Sequence, residues 1–296
     1  MRSHADEAWG TRRMAAAKAT SYAAPSAIER AVQDQSVAAG RMAARVILQS
    51  PMFRGVLTIL AFLVATPVFG LPIVVVGLLR PRSDVFLRCA RPWSRILLAA
   101  AGAQTTLEGI EHVPAGPCLF AANHQSLLDI PALFLVLPGS ARFLAKESLF
   151  RIPVLGWAMT ASGCIPIDRS NRARAMRSLR EAAARVRAGR SVVFFPEGTR
   201  SRDGKLAPFK KGGFHLAVEA QVPVVPVAVS GSYRILRPGS LRVRPGPLRV
   251  RLAPPLDPAQ HGTAESLSAA TRTAIAAALS PDEILPGSAL LSAGSP

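Results

Sequence analysis

Acid is scarce in this chain: Asp and Glu together number 18 against 36 Lys and Arg, a formal net charge of +18. So few carboxylates predict a polyanionic partner, either nucleic acid or an anionic membrane surface. Aromatic residues are scarce too, at 6%, the arginines are spread along the chain, and no nucleic-acid-binding module is present, which argues against nucleic acid. Cysteine is limited to Cys89, Cys118 and Cys164, scattered and without a C-x-x-C pair. Such a set makes no metal-type pairing and suits a reduced compartment better than a disulfide framework, each cysteine reading as a small buried apolar residue. No metal cluster is evident, and no G-x-S-x-G elbow marks a serine nucleophile. No secretory signal is visible, because the first apolar run begins only near residue 55 and no small-residue cleavage site follows it.

What is present is apolar. Hydrophobic residues make up 49% of the 296, enough for a full-size core with extra segments around it. Combined with the basic charge, this favours a membrane over nucleic acid. Residues 1–50 are rich in Ala, Ser and Arg; the part from Ser26 to Gln49 reads either as an amphipathic basic helix or as disordered chain. From Gly55 to Leu79 run 25 residues without a charge, long enough for a bilayer span. Pro67, Gly70 and Pro72 interrupt its middle. Arginines flank it on both sides: Arg41, Arg45 and Arg54 before, Arg80, Arg82, Arg88, Arg91 and Arg95 after. A span biases positive charge to one side, and each half of about 12 residues would reach only about 18 Å as helix. The expectation is therefore a helical hairpin in one leaflet over residues 51–100, completed by a basic linker, with both ends cytoplasmic. A kinked span is the alternative.

After Gln104 strands and helices alternate. "TTLEGIEHV", "CLFAANH", "ARFLAKE", "GCIPID", "SVVFFPEG" and "VPVVPVAV" read as strands, with "LRVRPGPLRVRLAPPL" as a hairpin turning at Pro245–Gly246. "DIPALFLVLP", Asn171 to Ala188, "GGFHLAVEA" and "AESLSAATRTAIAAAL" read as helices. The pattern predicts an α/β domain over 101–283 with a mixed, partly parallel sheet flanked by helices, and a flexible tail over 284–296.

Four stretches in this domain carry candidate chemistry. "CLFAANH" delivers Asn123 and His124 to a strand end, and Pro131 in the first turn of the next helix puts Asp129 at or just before that helix's start. An ionised Asp there can hold one imidazole nitrogen and leave the other as a base; a capping Asp beside a structural His is the other reading. No nucleophile accompanies the pair, so the substrate would bring one, such as a hydroxyl. "FFPEGTRS" places Glu197, Gly198, Thr199 and Arg200 in a polar loop, where Arg and exposed backbone N–H groups suit a phosphate. "GCIPIDRS" ends a strand at Asp168 and Arg169, which otherwise reads as a surface ion pair. "VPVVPVAV" is a core strand with Pro223 and Pro226 in unusual places.

In order and spacing these four pieces resemble the glycerolipid (lysophospholipid) acyltransferases of the 1-acylglycerol-3-phosphate acyltransferase type. The matching blocks are Asn123-His124 to Asp129, Gly163 to Arg169, Phe195 to Ser201 and Val222 to Val227, and the similarity covers roughly Leu107 to Pro255. The resemblance implies that His124 is the general base and Asp129 its orienting partner. It implies that Arg169, Glu197, Gly198, Thr199 and Arg200 bind the acceptor's glycerol phosphate. Asn123 and Lys146 would position groups or stabilise the oxyanion, and Pro226 would be donor-side or structural. It implies further a fatty acyl transfer from acyl-CoA or acyl carrier protein to lysophosphatidic acid, giving phosphatidic acid, with no cofactor or metal. The partners would be the lysophospholipid acceptor, the acyl thioester donor and an anionic membrane surface, with acyl carrier protein a further candidate and no nucleic acid. The setting would be the cytoplasmic face of a plasma or inner membrane; the Ala-, Arg- and Pro-rich composition suggests a bacterium with a GC-rich genome. Other acceptors (another lysophospholipid, lyso-ornithine lipid, glycerol 3-phosphate) share the motifs. A non-catalytic basic membrane protein would leave the four ordered motifs unexplained.

Overall fold

The computed structural model describes residues 50–79, 85–138, 141–168 and 170–284. The expectations for the N-terminal extension and the C-terminal tail, and the candidate Arg169, lie outside the described residues.

The long apolar run is one helix, α1 (Pro51–Leu79, 29 residues), and no turn forms at Pro67–Pro72. Each proline removes one N–H and so deprives the carbonyl of Leu63 or Val68 of its partner. Opening the whole turn would expose several more backbone groups, and residues 67–72 carry no polar side chain to satisfy them. Packing supports the continuous form. Ala65, Thr66, Gly70 and Ile73 are buried on one side. A Cβ on Gly70 would lie 2.9 Å from Val154 Cγ1 and one on Gly77 2.8 Å from Ala161 Cβ, so glycine is what lets α1 lie this close. The opposite side stays apolar and open, with Leu60, Leu63, Val64, Val68 and Leu71 all exposed. Among the described residues α1 is the one helix long and apolar enough to cross a membrane, by length and composition.

The stretch expected as a basic linker is a second helix, α2 (Val85–Ala101). Its spacing is amphipathic: Phe86, Leu87, Ala90, Leu97, Leu98 and Ala101 are buried, while Arg88, Arg91 and Arg95 share the exposed side. Trp93 Nε1 donates to Thr66 Oγ1 at 3.2 Å, tying α2 to α1. The helical pair is thus α1 with α2, not two halves of one apolar run.

The strands and the helices of six or more residues that follow, in chain order, are β1 (Ala103–Glu108), β2 (Leu119–Ala122), α3 (Asp129–Phe134), β3 (Arg142–Lys146), α4 (Leu155–Ser162), β4 (Ile165–Ile167), α5 (Arg172–Arg187), β5 (Val192–Phe194), α6 (Gly212–Ala220), β6 (Val224–Ser230), β7 (Gly246–Leu252) and α7 (Ala264–Ala278). The strands form one mixed sheet in the order β1-β7-β6-β2-β5-β3-β4. From β6 to β4 all neighbours are parallel; β7 is antiparallel to β6 and parallel to β1. Both faces are covered. On β2, Phe120 and Ala122 enter the core beneath α2 and α3, and Leu119 and Ala121 enter the core beneath α5 and α6. Burial on both sides explains why this strand is a continuous apolar run without alternation.

The hairpin expected at Pro245–Gly246 does not form, and β7 alone is a strand. In the preceding segment, Val243 N donates to Pro51 O and Arg244 N to Ile235 O, each at 2.9 Å. The first bond ties the start of α1 to the domain, the second holds the segment to residue 235, and neither N–H is available for a ladder with β7.

Candidate active site

Parallel order places the carboxyl ends of β6, β2, β5, β3 and β4 along one edge of the sheet, the side on which such sheets bind ligands. The register Ala121↔Phe194 sets the loop after β2 beside the loop after β5. This brings together the first and third motifs, 73 residues apart in sequence.

His124 and Asp129 form the expected pair. His124 Nδ1 and Asp129 Oδ2 are 2.8 Å apart. Asp129 opens α3 and is fully buried. Its Oδ2 also accepts from the Gln125 and Ser126 N–H groups at 2.7 and 2.8 Å. Three donors on one oxygen fix the loop between the two residues in a folded-back form. With its proton on Nδ1, the imidazole keeps the Nε2 lone pair free. The ring is held flat by Phe195, stacked at 3.9 Å between centroids and 15° between planes. Its side chain is 12% exposed, enough to meet a substrate.

Asn123 is a positioning residue. Its Nδ2 donates to Val229 O at 2.8 Å and its Oδ1 accepts from Val229 N at 2.7 Å. The amide completes the β2–β6 ladder one step past its last rung and so fixes where His124 leaves the sheet.

Glu197 differs from the role the resemblance implies. Both carboxylate oxygens are taken up by the protein itself: Oε1 accepts from His124 N–H at 2.7 Å and Oε2 from Ala207 N–H at 3.0 Å, and the residue is buried. It clamps the two motif loops together, aided by Ser201 N donating to His124 O at 2.8 Å and Gln125 Nε2 to Gly204 O at 2.9 Å. Burial pushes the Glu197 carboxyl from the ordinary 4.5 up to about 7; the two backbone N–H bonds oppose the rise and the Asp129 charge adds to it. A folded-state value above the unfolded one means that the folded protein holds this proton more tightly. Its stabilisation is complete below the unfolded value and is lost as pH rises to about 7. Glu197→Gln should therefore abolish a fall in stability between about pH 4.5 and 7, read as denaturant midpoints at pH 5 and 7.5. An unchanged slope in the variant would show that Glu197 does not cause it.

Of the other candidates, Gly198 adopts φ 75°, a conformation that only glycine takes without strain. Thr199 is exposed and Arg200 half-buried on the same loop, and Arg200 forms no ion pair with a described residue. Asp168 accepts from Ser170 N at 3.0 Å and pairs with Arg174 at 3.4 Å. Lys146 is exposed at the end of β3, two strands from β2 and so about 10 Å across the sheet from the pair. Pro226 is buried in mid-strand, opposite Ala121. Its carbonyl accepts from Ala253 N at 2.9 Å on the β7 side, beyond the last rung of that ladder. Its missing N–H faces the same way and costs no ladder bond, which makes the position structural. Phe195 was legible only as part of a motif; no sequence signal marked it as the ring that stacks on the base.

A His–Asp pair at a strand end, clamped to a P-E-G-T-R loop on the next strand, defines the class, and the family model described as Acyltransferase matches residues 104–230. A 1-acyl-sn-glycerol-3-phosphate acyltransferase of Chlamydomonas reinhardtii is 36% identical over 229 residues, covering 75% of this chain and 68% of that relative. The crystal structure of the 1-acyl-sn-glycerophosphate acyltransferase PlsC from Thermotoga maritima superposes with a TM-score of 0.67 at 29% identity, covering 75% of this chain and 93% of that one. The chain belongs to the 1-acyl-sn-glycerol-3-phosphate acyltransferase family. A chloroplastic 1-acyl-sn-glycerol-3-phosphate acyltransferase of Brassica napus is 45% identical over 139 residues, and the chain spans 40% of its length.

Proposed function

We propose that this protein transfers a fatty acyl group from an acyl thioester to the free hydroxyl of 1-acylglycerol 3-phosphate at a membrane surface, giving phosphatidic acid. The observation that carries the proposal is the His124–Asp129 contact of 2.8 Å at the carboxyl edge of the sheet, with Nε2 open and the motif's own hydroxyl, Ser126 Oγ, donating to Leu236 O at 2.7 Å. In this reading Nε2 takes the acceptor's hydroxyl proton as that oxygen bonds to the thioester carbon. The C–S bond then breaks and the leaving thiolate takes the proton back from the imidazolium. Asp129 stabilises the transient positive charge. Arg200, with Arg169, would hold the acceptor's phosphate.

The open side of α1 is the membrane anchor in this reading, and the net charge of +18 draws the domain to anionic headgroups. The site would then work at the headgroup level on the cytoplasmic face of a bacterial inner membrane. Either acyl-CoA or acyl carrier protein is a donor that the basic surface would accept.

The test is thiol release by detergent-purified protein given palmitoyl- or oleoyl-CoA, with and without lysophosphatidic acid, together with flotation on vesicles containing anionic lipid. Release that depends on lysophosphatidic acid, survives EDTA and comes from protein that floats is the expected result. Absence of release with both acyl-CoA and acyl carrier protein donors would overturn acyl transfer. Release with a lysolipid lacking phosphate, but none with lysophosphatidic acid, would move the acceptor. Protein left at the bottom of the gradient would overturn the anchor.

A further inference from the structure

We infer that Lys210 is a further acceptor-binding residue, its ammonium taking the phosphate monoester of the lysolipid beside the P-E-G-T-R loop. The inference rests on the acyl-transfer reading and adds a residue that none of the four motifs contains.

Beside Phe195, the ring that stacks on His124, opens a cleft of about 380 Å³ whose wall includes Leu144, Ile167, Met176, Leu179 and Phe194. Among the described residues lining it, Lys210 alone carries a charge. Its place is fixed by geometry. Lys210 N donates to Pro196 O at 2.8 Å, which pins residue 210 to the start of the loop. Its stem then crosses Gly198: a Cβ there would lie 2.9 Å from Lys210 Cε and 3.0 Å from Nζ. The bare backbone at Gly198, with φ 75°, is thus what allows the ammonium to lie over the loop.

The carboxylates of the neighbouring segments have partners of their own. Glu197 faces the His124 and Ala207 amides. Asp168 is held by Ser170 and Arg174, and Asp203 by Ser201 and Lys205. Glu265 pairs at 2.7 Å with the neighbouring Lys211. Among the described residues Lys210 has no ion pair, although the next residue has a close one. Lys210 is exposed, so an anion entering beside the apolar wall of the cleft can reach its ammonium. The anion this crevice would receive is the headgroup phosphate of the acceptor whose hydroxyl must reach His124.

The test compares Lys210→Gln, Lys210→Arg and Lys211→Gln with the wild type, varying lysophosphatidic acid and acyl-CoA separately. Loss of one charge-assisted contact should raise KM for lysophosphatidic acid about 10-fold or more in Lys210→Gln. KM for acyl-CoA should stay unchanged, Lys210→Arg should restore most of the affinity, and Lys211→Gln should match the wild type. A second readout does not need turnover: glycerol 3-phosphate should protect the Lys210 amine, and not Lys211, from acetic anhydride, as seen by peptide mass spectrometry. A rise confined to the acyl-CoA KM would assign the lysine to the donor and overturn the inference. So would an unchanged acceptor KM with no protection. If the wild type itself shows no acceptor-dependent release, the acyl-transfer reading falls, and the protection experiment alone decides whether Lys210 holds a phosphate monoester.

Discussion

His124→Ala should lose acceptor-dependent thiol release by about 10²–10⁴-fold in kcat, the usual contribution of a positioned general base. The KM for lysophosphatidic acid should change little, because the described groups assigned to its phosphate lie on the loop after β5. The fold should survive the substitution. The imidazole makes one hydrogen bond, to Asp129, and one stacking contact, with Phe195. Removing it leaves the buried carboxylate with the Gln125 and Ser126 amides. The backbone links of this residue, to Glu197 and Ser201, do not depend on the side chain. A folded variant that keeps wild-type turnover would remove His124 from the chemistry and leave the motif as a scaffold.

Asp129→Asn should be nearly as damaging to turnover, by about 10³–10⁴-fold by analogy with triads whose aspartate is made neutral, and it should also destabilise the protein. Three N–H donors converge on Oδ2, so the new amide must present its oxygen there. Its NH2 then occupies the Oδ1 position, which is buried and has no hydrogen-bond partner among the described residues. An unsatisfied buried donor costs about 1–3 kcal/mol. The imidazolium formed during reaction also loses its counter-charge. Measured side by side, His124→Ala should lose turnover with a small change in denaturation midpoint, whereas Asp129→Asn should lose both. Equal stability for the two would mean that Asp129 acts on the imidazole alone and does not hold the loop.

The sequence was a good guide wherever the cause was local. His124 and Asp129 sit on one loop, five residues apart, and the Pro131 signal for the helix start put Asp129 where it is found, at the first residue of α3. The helix over Asn171 to Ala188 is likewise local: Asn171 caps α5 by accepting from Arg174 N, and Gly189, at φ 86°, ends it. Pattern reading failed at α2, where the arginines drew attention from the buried series Phe86, Leu87, Ala90, Leu97 and Leu98. In "LRVRPG" alternation suggested a strand, but the backbone groups are bonded to Pro51 and Ile235.

By itself, then, the sequence determined the α/β class, the order of the motifs and the closeness of His124 and Asp129, because periodicity, capping and short loops act within a few residues. Only the tertiary structure decided that α1 runs through Pro67 and Pro72, since the residues that support it, Trp93, Val154 and Ala161, come from distant parts of the chain. It also decided that Glu197 clamps the His124 loop. That contact exists because β2 and β5 are parallel neighbours in one register, and strand pairing across 73 residues is set by how the whole sheet buries its two faces.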